Sequence, residues 1–427
     1  MRVYPFETFQ KRREPNVSAK LVWKTKAVKR KIRKNRKMRR ITIVAFLLCA
    51  YTLMAQTVRP QKIESIVRVQ QTKEWYSRQA RLWQSEITKN NTNEDAWKNY
   101  LLALHYTVAL SEGEEQTDAI KKRSEAMKEL IAVLPSSPTR YIMEFYLKGA
   151  GHPDTQKISP KVLETIKENC DQVGFYDKYI AYLLMEHPRE EALIADICRR
   201  WYESRDFSPS ILNHFYNELA GLPQNAVIFA TGDTPTYAYL ILQHAKGLFG
   251  NIVTISAPLL YIKEYRNYIC KKLGIEPIAA DVGYDNGNGG YISNEEACLY
   301  IIEHCNRPVY YSSSSKLPSF TDKLYCEGLV FRYSKQSYDN TAVKRRNFEE
   351  IYLLDYLKED FINEYPIYER LKMNYITAFK SLLRYYKECG KEKEYQRLHS
   401  LLRGIVSKNK AIDEQLRVYY YEHELKE

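Results

Sequence analysis

Two short runs, Val227-Ile-Phe-Ala230 and Ile252-Val-Thr-Ile-Ser256, are apolar, rich in β-branched residues and almost free of polar alternation. A pleated strand sends successive side chains to opposite faces, so a run without alternation is covered on both sides. Two later runs, Arg307-Pro-Val-Tyr-Tyr-Ser312 and Leu329-Val-Phe-Arg-Tyr333, read as strands as well. Helical patterns fall between them at residues 236–246, 259–273 and 294–305. Strands alternating with crossovers of this length predict a parallel sheet covered by helices. The centre of the chain, residues 216–335, is therefore expected to be a parallel-sheet α/β unit.

Both flanks read as helix, so the fold class is mixed α and β, mostly helical. In residues 57–215, Glu74–Trp83 and Asn93–Tyr106 place aromatics and Leu at helical spacing, with Asn93 as a helix cap. A second helix, at 119–133, closes on Pro135 and Pro138. This helix–turn–helix is tetratricopeptide-like, a unit with a period of about 34 residues. In residues 336–427, helices are expected at 347–356, at 366–386, at 394–406 beyond a break at Gly390, and at 414–425. The hairpin around Gly390 is again tetratricopeptide-like. Tyrosine is frequent, at 36 residues against 14 Phe and 5 Trp, as suits half-buried helix seams with a hydrogen-bonding tip.

The net charge of +13 is confined to the beginning of the chain. Residues 1–40 are a basic leader with 16 Lys/Arg against 2 Asp/Glu, which leaves 49 basic and 50 acidic residues for everything after it. A neutral body offers no basic face for a phosphate backbone, so no nucleic-acid partner is expected. The apolar run from Ile41 to Ala55 follows Lys37-Met-Arg-Arg40. Basic region, apolar segment and small residue form a secretory signal, and the run is shorter than the ~20 residues that span a bilayer. Residues 41–56 are thus a signal peptide cut after Ala55, or a signal anchor with the basic side in the cytoplasm. Met1 and Met38 are both compatible starts. Either reading puts the body outside the cytoplasm, in the periplasm, secreted or held to the inner membrane. The body's seven cysteines, an odd number, contain no Cys-x-x-Cys pair. No metal or cofactor is expected.

Chemistry in a parallel sheet sits beyond the carboxyl ends of its strands. There the sequence places Gly232, Asp233, Thr234 and Thr236 after the first strand, Ser256 at the end of the second, and Ser312 and Ser313 in the serine run after the third. These hydroxyls, one carboxylate and a helix N-terminus form a candidate site for a small polar or anionic ligand. A structural role competes with it: Thr234 as cap, Pro235 in the first turn and Asp233 against the helix dipole account for the same residues. Neither a Gly-x-Gly-x-x-Gly nor a Gly-x-Ser-x-Gly pattern is present.

Leu222-Pro-Gln-Asn-Ala-Val-Ile-Phe-Ala-Thr-Gly-Asp-Thr-Pro-Thr-Tyr237, Leu242-Gln243 and Ile252-Val-Thr-Ile-Ser-Ala-Pro-Leu-Leu260 resemble the soluble C-terminal tail of a multi-spanning membrane protein family of unknown function. That family carries a glycosyltransferase-like N-terminal half. The resemblance covers roughly residues 210–405 and extends to Arg307-Pro-Val-Tyr310 and Cys326-Glu-Gly-Leu-Val-Phe-Arg332. Gly232, Asp233 and Thr236 match the family's turn; Thr234 and Pro235 stand where it has Asn and a second Asp. The membrane-spanning half has no counterpart, so its activity is not implied. The expectation is an extracytoplasmic scaffold or binding protein of the cell envelope, non-catalytic. Its expected partner is an envelope protein, with a membrane protein or a glycan as further candidates. The alternative is an enzyme or accessory subunit acting on glycans or envelope polymers, with Asp233 as acid/base.

Overall fold

The computed structural model describes residues 59–64, 69–149, 152–173, 175–205, 207–283, 291–359 and 366–425. The basic leader and the 41–56 segment lie outside them, as do residues 284–290. Among the described residues no helix is long and apolar enough to cross a membrane.

Eight described helices precede the sheet: α1 (Lys73–Lys89), α2 (Glu94–Ala109), α3 (Gly113–Val133), α4 (Pro138–Lys148), α5 (Pro153–Val173), α6 (Tyr176–Glu186), α7 (Glu191–Glu203) and α8 (Pro209–Ala220). Their starts follow local chemistry. Asn93 accepts from Ala96 N–H at 3.1 Å, as its sequence position predicts, and Ser137 and Ser208 cap α4 and α8 ahead of Pro138 and Pro209. The first four helices enclose one apolar cluster around the fully buried Trp97, Leu101 and Leu130. Removing the Trp97 ring costs about 3–5 kcal/mol by the usual core-truncation scale. A second, larger cluster runs from α4 to the end of the chain and includes the sheet. Helix α4 joins them, because Met143 faces the first and Ile142 and Phe145 the second.

The sheet has five strands in the order β2-β1-β5-β7-β6: β1 (Val227–Ala230), β2 (Val253–Ser256), β5 (Val309–Ser312), β6 (Leu324–Cys326) and β7 (Val330–Tyr333). A separate parallel pair is formed by β3 (Asp281–Val282) and β4 (Tyr291–Ile292). β1 lies parallel to β2 and β5, with Val227 opposite Val253 on one side and Val309 on the other. All four β1 residues are buried, as the unalternating pattern requires. The sheet is mixed, not purely parallel. β6 and β7 are joined by a tight connection through Gly328, which permits only antiparallel pairing, and β7 meets β5 antiparallel with Phe331 opposite Tyr311.

The connecting helices are α9 (Asp233–Leu240), which runs on into a π-turn at Ile241–Ala245, α10 (Lys263–Leu273) and α11 (Asn294–His304). After the sheet come α12 (Thr341–Arg346), α13 (Pro366–Glu388), α14 (Glu392–Lys408) and α15 (Glu414–Tyr419). The helix expected at 347–356 is found only in part, as a π-helical continuation of α12 to Ile351 and a separate 3-10 turn at Asp355–Lys358. α12 gives way to a π-turn at Asn347–Ile351, and the chain then opens. Side chains from elsewhere take its backbone groups: Asn217 accepts from Leu353 N–H and donates to Leu353 C=O, both at 2.8 Å. A peptide group satisfied by a buried side chain has no need of a helical partner.

Candidate functional site

The turn after β1 is built on Gly232, whose φ of 114° is open to glycine and strained for other residues. Gly232 occupies the cap position of α9 and no side chain caps the helix, so Thr234 is not the cap that the sequence pattern indicated. Thr234 is buried in the first turn, and Thr236 instead donates back to Gly232 C=O at 2.8 Å. Asp233 is the first helical residue, where the dipole favours its negative charge. Its carboxylate has no hydrogen bond or ion pair among the described residues.

Gly232, Asp233 and Thr236 line one cleft of about 240 Å³ together with Ser256 from the end of β2. Its opposite wall comes from the helical region. Phe145 and Tyr146 project from α4, and Lys178, Ala181, Leu184 and Met185 from α6. Tyr237, Pro258 and Leu259 complete an otherwise apolar lining. The backbone of Ser256 is fixed by its N–H donating to the Tyr265 hydroxyl at 2.9 Å.

The charged end of the cleft has an internal order. Lys178 Nζ pairs with Asp177 at 3.0 Å and lies 4.4 Å above the Tyr146 ring, so its charge is already matched. Behind it, His105 packs on Tyr146 with ring centroids 4.8 Å apart and its Nδ1 accepts from Arg123 at 2.9 Å. Burial, with Arg123 and Lys178 adding to it, pushes the His105 imidazole down to about 4, so it is neutral at pH 7. Burial pushes the Tyr146 hydroxyl up to about 12. Asp233 keeps solvent exposure, yet the surrounding wall partly desolvates it and raises its carboxyl above the usual range; Lys178 opposes that shift and Asp177 adds to it. Among the described residues lining this end of the cleft, the Asp233 carboxylate is the charge without a partner.

Ser312 and Ser313 do not join these residues. Both donate to Glu218 Oε1 on α8, at 3.0 and 3.4 Å, and Ser314 does so at 2.9 Å. The Tyr239 hydroxyl donates to the other carboxylate oxygen. Glu218, Ser312 and Tyr239 are fully buried. The serine run thus meets an internal carboxylate, where the sequence reading expected a ligand. Ser315 Oγ accepts from Thr231 N–H at 2.7 Å, which closes the crevice between the carboxyl ends of β1 and β5 and leaves the β1–β2 side open. The cluster of Ser314, His214 and Glu218 is not a hydrolytic relay. Ser314 Oγ and Glu218 Oε1 both approach His214 Nε2, at 3.0 and 3.5 Å, whereas a relay needs the acid on the opposite nitrogen. His214 Nδ1 has no partner.

Sequence reasoning missed the far wall of the cleft and the Glu218 hub. His214 and Glu218 at i and i+4 were the only local signal of the hub, and nothing local marks Tyr146 or Lys178 as neighbours of Asp233. Among the described residues no group of three or more His, Cys, Asp or Glu is arranged to hold a metal ion. Cys198, Cys270, Cys298, Cys305, Cys326 and Cys389 are free thiols, and the first four are buried. No family model matches the chain, and no curated protein or solved structure matches it either.

Proposed function

We propose that the protein is a non-catalytic binding protein of the cell envelope that seats part of a partner protein in the cleft between α4, α6 and the start of α9. One observation carries the reading. Gly232, Asp233, Thr236 and Ser256, drawn from the start of α9 and the end of β2, share a concave surface with an apolar wall contributed by a distant part of the chain. An apolar cleft with few convergent polar groups is the usual form of a recognition site. The basic leader and apolar segment at 1–56 support an extracytoplasmic, periplasmic location for the body. Consecutive helices that pack on one another before and after the sheet keep a tetratricopeptide-like scaffold role in the proposal. The resemblance of residues 210–405 to the tail of a multi-spanning family makes a membrane protein the proposed partner class.

The enzyme alternative rests on Asp233, whose carboxyl is raised by burial in the direction useful for acid/base work. It predicts complete loss of function in Asp233→Asn with an intact fold.

A photo-crosslinking amino acid at Met185, inside the cleft, tests the binding reading in the native cell, with Ile120 on the outer face of α3 as control. The expected result is one discrete adduct at 185, absent at 120 and abolished by Ala181→Trp, which fills the cleft. Equal adducts at both positions, or no effect of Ala181→Trp, overturn it.

A further inference from the structure

Resting on that reading, we propose that the cleft is specific for a basic side chain of the partner, a Lys or Arg flanked by apolar residues, with its cation anchored on Asp233. Three observations converge. The cleft, at about 240 Å³, falls below the roughly 300–1,000 Å³ of sites that enclose a drug-sized molecule, so it suits a single long side chain. Its walls along Ala181, Leu184, Met185 and Leu259 are apolar and match an aliphatic stem. Its lining includes one carboxylate, Asp233, without a hydrogen bond or ion pair among the described residues.

Charge complementarity decides the sign of the guest. Lys178 is the cation nearest to hand, but Asp177 and the face of Tyr146 hold it. An anionic guest would have to displace Asp177 from Lys178 and also lie against Asp233. A cationic guest meets a carboxylate that has no hydrogen bond or ion pair of its own, in a cleft also lined by Tyr146 and Tyr237. A carboxylate favours ammonium and guanidinium groups over neutral ones through charge-assisted hydrogen bonds. A neutral guest leaves Asp233 desolvated and unpaired, which is the costly outcome. This differs from the polar or anionic ligand that the hydroxyl-rich turn indicated, because the uncapped helix end carries its own anion in Asp233.

The test is a methyl NMR titration of the full-length protein with three probes: acetyl-Leu-Lys-Leu-amide and the same peptide with norleucine or glutamate at the centre. The lysine peptide is expected to shift the methyl signals of Ala181, Met185 and Leu259 and to bind at least tenfold more tightly than the norleucine peptide. The glutamate peptide is expected to bind most weakly. In Asp233→Asn the lysine preference should vanish while the other methyl signals keep their native dispersion. If norleucine or glutamate binds as well as lysine, or if the preference survives in Asp233→Asn, the cationic anchor is wrong although the cleft still binds. If none of the three peptides moves these methyl signals, the anchor and the cleft reading fall together.

Discussion

Glu218→Ala should be among the most damaging single substitutions in the molecule. The carboxylate accepts from Ser312, Ser313, Ser314 and Tyr239 and ties α8 to β5 and α9. Ser313 and Ser314 are half-buried, and Ser314 keeps His214 and Asn374 as partners, so their loss is small. Ser312 and Tyr239 are each 0 % exposed. A buried donor left without an acceptor costs about 1–3 kcal/mol, so these two together cost about 2–6 kcal/mol before any term for the void. That is a large part of the ~5–15 kcal/mol by which domains are stable. Urea unfolding followed by tryptophan fluorescence, with a shared slope, measures it. Two controls separate lost hydrogen bonds from general disruption. Glu218→Gln keeps an acceptor for Ser312 and lets the Tyr239 hydroxyl turn to accept, so its cost should be about 1 kcal/mol. Adding Tyr239→Phe to Glu218→Ala removes one orphaned donor and should recover about 1–3 kcal/mol of the loss. A loss below about 1 kcal/mol in Glu218→Ala, or no recovery in the double variant, refutes the reasoning.

Three further outcomes are expected. Gly328→Ala combines a φ of 102° with a new methyl 2.6 Å from the Tyr352 hydroxyl, whereas Gly232→Ala, at 114°, meets nothing within 4 Å. Strain at about 1–3 kcal/mol applies to both and overpacking adds about 1–3 kcal/mol only at Gly328, so urea midpoints should fall further in Gly328→Ala. His105 is neutral in the fold down to about pH 4 and titrates near its ordinary 6.5 when unfolded, so the unfolded chain binds the extra proton between those values. Stability should therefore fall as pH drops through that window, by up to about 3 kcal/mol, and His105→Gln should flatten this part of the pH profile. Asp233 is a raised acid, so its charge weakens the fold as pH rises through its titration; Asp233→Asn should be no less stable than the native protein at pH 7, by thermal unfolding, while losing the lysine preference.

The sheet's parallel half was legible because its signal is local: buried β-branched runs bounded by a glycine turn and helical spacing. The β6–β7 hairpin was not, since Leu324–Cys326 is three residues long and half-buried, too short for a period to show. Helix 347–356 ends early, at Ile351, for a different reason. Its amphipathic pattern is real, but the amide of Asn217, more than a hundred residues away in sequence, competes for the backbone at Leu353. The candidate site divides along the same line. Gly232, Asp233, Thr236 and Ser256 were legible as strand-end residues. Ser312 and Ser313 obey the same strand-end rule, yet a buried acid on α8 claims them. No strand-end argument finds Lys178 or Tyr146, because tertiary packing alone brings α4 and α6 against the turn.

The central claim, that the Asp233 cleft is where this protein holds its partner, is tested most directly by the methyl signals of Ala181, Met185 and Leu259 during titration with the lysine peptide. Saturable shifts are expected at these three positions, with the exposed Leu416 and Leu353 methyl groups unmoved. Saturable shifts at Leu416 or Leu353, with Ala181, Met185 and Leu259 silent, would contradict it.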